Sequence, residues 1–190
     1  MDKKLVLICL ASGITTAIIV GGLIFVGGHL AFWVSLFLPG FLFSIVLTIY
    51  YNDIPLRNKL IFILACTIIF WLSATTTFYL YEITNGITLL FFSSTSLLLT
   101  ILAFDRQVRK LNKLSQSLTT FLTGGFVVGF VIFILTFIIR TKNNISLHEE
   151  NIGLTSLLYI KLLLFPLWQT AFGILIREKL PLTTKASLRP

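Results

Sequence analysis

The 190-residue chain is 56% hydrophobic and 12% charged, where soluble domains average roughly 25% charged, and its net charge is +8. Its apolar residues fall in long uninterrupted runs of about 20, the length that crosses a bilayer as a helix. A soluble globular core is excluded, and the chain is expected to be an all-α integral membrane bundle.

The first run, Leu5–Val26, follows the charged start MDKK and imitates a secretory signal. Its apolar stretch continues past any cleavage site, so it reads as a retained anchor. Cys9 comes before the small residues rather than after them, which excludes a lipoprotein-type attachment. Gly13, Ala17 and Gly21 recur every four residues, a stripe on which helices pack closely in lipid. The second run, Leu30–Tyr51, contains Pro39-Gly40 and is expected to bend there. The third is Leu60–Tyr81. The fourth, Ile87–Phe104, is the shortest and carries Ser93, Ser94, Thr95 and Ser96 in a row. The fifth, Leu118–Ile139, holds Gly125 and Gly129 at GxxxG spacing, and the sixth is Gly153–Ile176. The connections GGH, NDIPLRN and EITNG are short, and the longest loop is RTKNNISLHEEN. Residues 1–179 form one six-span transmembrane domain, and 180–190 a polar tail expected to be cytoplasmic.

Charge decides whether the fourth run crosses, because Lys and Arg are retained in the cytoplasm. With six spans, twelve cations (Lys3, Lys4, Arg57, Lys59, Arg106, Arg109, Lys110, Lys113, Arg177, Lys179, Lys185, Arg189) share one side, against Arg140 and Lys142 on the other. Dropping the fourth span inverts everything after it and leaves six against eight. Six spans with both ends inside are therefore expected, in a bacterial cytoplasmic (inner) membrane. The same retention explains the basic charge without nucleic acid. The densest cluster, DRQVRKLNKLSQS, offers Arg106, Arg109, Lys110 and Lys113 to anionic headgroups or a protein partner.

Lys161 lies inside the sixth run. A lysine near a helix centre costs about 2.5–3.5 kcal/mol to insert. One explanation is snorkelling toward the outer surface, since helical side chains lean toward the N-terminus. The other is a polar cavity. Ser73, Thr75, Thr76 and Thr77 of the third run, Ser93 to Ser96 of the fourth, and Lys161 all fall at one outer depth. Phe165, Trp168 and Phe172 follow Lys161 on its own face at i+4, i+7 and i+11, and Glu82 is the nearest carboxylate by depth. The candidate ligand residues are thus Lys161, Ser73, Thr77, Ser94, Trp168 and Glu82. The competing reading has the hydroxyls bonding their own i−4 carbonyls. Gln169 lies some 80° around the helix from Lys161, which gives it an interhelical hydrogen bond instead.

Catalysis is disfavoured. No Asp, Glu or His lies well inside a run, HEENI fails the HExxH pattern, and neither cysteine has a CxxC partner. No cofactor or metal is expected. Composition and depth point to a small polytopic protein that binds or transports a small neutral or anionic solute through an outward-facing cavity near Lys161. The alternative is a structural or regulatory subunit that docks a partner through its basic inner face.

Overall fold

The computed structural model describes residues 3–27, 29–81, 87–142 and 152–180, without the side chains of 24, 29, 78, 81, 139–142 and 152–163. Six helices follow one another: α1 (Lys3–Val26), α2 (His29–Tyr50), α3 (Leu56–Tyr81), α4 (Thr88–Gln107), α5 (Leu114–Lys142) and α6 (Ile152–Arg177). No strand occurs among the described residues. Helices α1 to α5 are each long and apolar enough to cross a membrane. Their outward faces remain apolar, with Ile18, Phe91 and Phe137 exposed, as suits a bundle solvated by lipid.

The doubtful fourth run is a helix of 20 residues. Helices α3 and α5 both start four residues before their apolar runs, at Leu56 and Leu114. Helical hydrogen bonding does not stop where hydrophobicity does, and the added turns are polar. Asn58, in the first turn of α3, donates its Nδ2 to the Gln107 carbonyl at 3.3 Å. Helix α2 is assigned without a break through Pro39-Gly40.

Neighbours in sequence are neighbours in space. The helices close a ring in chain order, α1 returning to α6, and α6 also touches α4 across the middle. Glycines set the seams. A Cβ built on Gly13 would stand 2.6 Å from Pro166 Cα, and one on Gly173 would stand 3.0 Å from Cys9 Cβ. Gly40 admits the Cys66 carbonyl in the same way, and Gly125 and Gly129 admit the α4 backbone at Ser94 and Leu89. Backbones approach where side chains are missing, which is how helices cohere without a hydrophobic drive between them. Of the stripe expected on α1, Gly13 lies in a seam and Ala17 is buried, and the pair expected on α5 is a seam of the bundle.

These contacts also fix direction. Val6 and Cys9 near the start of α1 lie against Gly173 near the end of α6, so the helices run antiparallel. At that end the loops are tied together. Arg109 pairs with Asp53 at 2.8 Å, and the Asn112 N–H donates to the Lys179 carbonyl at 2.7 Å. Buried Asp105 accepts the Leu111 N–H at 2.7 Å and meets Lys110 Nζ at 3.3 Å. The cations cluster here, and this is the basic end.

The middle is aromatic. Trp168, Phe43, Phe172, Phe104 and Phe62 are fully buried. Trp168 stacks on Phe172 at 6.2 Å, Phe172 meets Phe104 edge-on at 5.7 Å, and Phe104 meets Tyr51 at 5.5 Å. Arg109 lies 5.8 Å from the Tyr51 ring centroid. A column of rings therefore runs from the bundle centre to the basic end.

Candidate functional site: a hydroxyl-bearing cavity above an aromatic column

A cavity of about 80 Å³ opens between α2, α3, α4 and α6, toward the end opposite the cations. Phe70 and Trp168 belong both to its wall and to the column beneath it, with ring centroids 4.6 Å apart. Leu36, Ala74, Leu89, Phe92, Leu164 and Phe165 supply most of the remaining surface, and Ser35, Ser73, Thr77, Ser93 and Ser96 supply hydroxyls. Among the described residues, no wall residue is charged.

The hydroxyls are not equivalent. Ser96 accepts the Trp168 indole N–H at 3.2 Å and donates to the Ser93 carbonyl at 3.2 Å, which fixes the floor ring. Ser35 donates to the Phe32 carbonyl at 2.6 Å. Ser93 is 5% exposed, and its Oγ has no hydrogen-bond partner. Ser93 is thus a wall residue whose buried hydroxyl has its bonding capacity unspent.

Of the residues expected to form the site, the structure brings Ser73, Thr77 and Trp168 to the cavity. Ser94 is elsewhere. Its Cα faces Gly125 on α5, and its Oγ donates to the Leu90 carbonyl at 2.8 Å. Thr95 and Thr76 likewise bond the carbonyls of Phe91 and Leu72. The hydroxyl layer therefore divides between helix-internal bonding and cavity wall. Phe165 lines the cavity, while Phe172 lies in the column below. Lys161 falls on α6 one turn before Phe165, and its side chain lies outside the described residues, as does Glu82 altogether.

Sequence reasoning missed the α2 wall, Ser35 and Leu36, and the aromatic floor partner Phe70. The available signal was Ser35 one turn ahead of Pro39, a hydroxyl beside a break in helix bonding. Among the described residues no three His, Cys, Asp or Glu side chains gather at one point. Cys9 and Cys66 are buried, free and in different seams. The chain matches no family model, and the comparisons with curated proteins and with solved structures return no match.

Proposed function

We propose that this is a six-span protein of a bacterial cytoplasmic membrane, with both ends inside, that binds a small neutral solute in an outward-facing cavity. The twelve-to-two distribution of cations supports the orientation, because it assigns the basic end to the cytoplasm. The cavity then faces outward. The observation that carries the ligand reading is Ser93, a buried unpaired hydroxyl on an aromatic wall whose described residues are uncharged. Such a wall suits a molecule of a few heavy atoms, mainly carbon, with one group able to share a hydrogen bond. An anionic solute requires Lys161 as well. The aromatic column below the cavity closes the way to the basic end, so binding is the act this arrangement serves directly, and transport requires the column to part.

The test is a thermal-shift screen of small neutral solutes against the protein in nanodiscs. A ligand present at 100 times its Kd stabilises by about 2.7 kcal/mol. Ser73→Phe, at a half-exposed wall position, fills the cavity and should abolish the shift, while Ser93→Ala should weaken binding several-fold. A solute whose shift survives Ser73→Phe is bound elsewhere, and the proposal then fails.

A second reading rests on the basic end, where Arg106 and Lys113 are exposed while Arg109 and Lys110 are engaged with carboxylates. That surface suits an acidic partner or anionic headgroups.

A further inference from the structure

The seam between α1 and α6 holds a second polar feature, independent of the cavity and its ligand. Ser12 and Thr16 on α1 and Gln169 on α6 are buried, Gln169 completely. None of their side-chain polar atoms has a hydrogen-bond partner: Ser12 Oγ, Thr16 Oγ1, and both Nε2 and Oε1 of Gln169. Four buried polar atoms with no protein partner, inside a bundle whose outer faces are apolar, are costly to leave unpaired.

The helix contacts bring these groups together. Gly13 faces Pro166 and Cys9 faces Gly173, so the antiparallel register sets Ser12 level with Gln169. Around α6, Gln169 falls between the Pro166–Gly173 stripe on α1 and the Trp168–Phe172 rings that meet Phe43 of α2. Ser12 and Thr16 stand at i and i+4 on one face of α1. Helical phase directs all three into the groove enclosed by α1, α2 and α6.

We propose that this groove is a binding site for water, one or two molecules that join Gln169 to Ser12 and Thr16 across the α1–α6 seam. None of the three side chains bonds another directly. The amide presents a donor and an acceptor at one place, and the hydroxyls do both. Water answers all of them, whereas a cation leaves Nε2 unmet. The three groups are neutral, which removes the charge that would draw a cation into the bilayer. Gln169 thus acts through bound solvent, holding α1 at the depth its glycine contacts require.

The full chain in nanodiscs supplies the test. X-ray-pulse hydroxyl-radical footprinting oxidises residues beside bound water, so Cys9 and Pro166 should be modified while Cys66, fully buried in the α2–α3 seam, stays protected. Equal modification of Cys9 and Cys66 overturns the site. Gln169→Leu should lower Tm by about 3–8 °C, and by much less in a Ser12→Ala/Thr16→Val background where the bridge is already broken. An unchanged or raised Tm for Gln169→Leu overturns it as well. So does a stabilisation by sodium that choline at equal ionic strength fails to give, because that result makes the site one for a cation.

Discussion

Trp168 is the largest fully buried side chain, and its indole N–H ends on Ser96. Removing that acceptor leaves a donor buried and unpaired, at a cost of about 1–3 kcal/mol. Ser96→Ala is therefore expected to lower Tm by several degrees, at about 2–4 °C per kcal/mol for a chain of this size. Ser94→Ala, which removes only a bond to its own helix, should change Tm by less than half as much. Thermal unfolding of the two variants in one detergent decides it, and equal losses would contradict the floor geometry. Lys161→Met separates the two ligand charges. It removes an insertion cost of about 2.5–3.5 kcal/mol, so membrane expression should hold or rise. Binding of a neutral solute should survive, whereas an anion should lose more than tenfold in affinity. Trp168 was legible in the sequence through its spacing from Lys161. The division between Ser93 and Ser94 was not, because consecutive helical residues point about 100° apart. Packing of α5 against α4 meets both serines, through Gly125 at Ser94 and Gly129 at Ser93, and only the cavity wall, which includes Ser93 and not Ser94, separates them.

At the scale of helices, glycine positions make a paired expectation. Gly13 and Gly22 both lie within α1, and both should gain helix propensity on change to Ala, by about 1 kcal/mol. Gly22 has nothing within 4 Å of the added carbon, so Gly22→Ala should leave Tm unchanged or raise it. At Gly13 the new Cβ would meet Pro166 Cα at 2.6 Å, backbone that does not swing aside. Gly13→Ala must push α1 from α6 and should lower Tm by several degrees despite the same propensity gain. Unfolding curves for both variants test the seam, and matching behaviour would show that the helices do not touch there. The helices themselves were legible because a bilayer writes their length into hydrophobic runs. Their first turns were not, since Leu56 to Lys59 and Leu114 to Ser117 are helical without being apolar. The α2 contribution to the cavity was also hidden. Ser35 and Leu36 gain meaning only from the order of helices around the ring, and one chain's residue pattern carries no signal for that order.

At the scale of the molecule, the charge distribution raises two separable expectations, orientation and docking. The pairs Arg109–Asp53 and Lys110–Asp105 tie loops to the basic end, and the first is exposed on both sides, a class of ion pair worth about 0–1 kcal/mol. Arg106 and Lys113 lie beside them, exposed, in the same loop region between α4 and α5. Changing only these two to Gln leaves both pairs in place. The positive-inside difference falls from twelve against two to ten against two, still ample to hold six spans in register with both ends inside. A reporter fused after residue 190 should therefore read cytoplasmic in wild type and in the Arg106→Gln/Lys113→Gln variant, while one placed at residue 146 should read outside in both. If the basic end does no more than orient the chain, the variant is silent in every other measurement. If it also docks an acidic partner or anionic headgroups, co-purification with that partner or binding to vesicles containing phosphatidylglycerol should fall about thirtyfold at 0.15 M salt, because each of the two cations near an anionic surface contributes about 1 kcal/mol. A residue-146 reporter reading cytoplasmic would undo more than the docking argument. It would place the cavity on the inner side of the membrane and reverse the direction from which its ligand arrives.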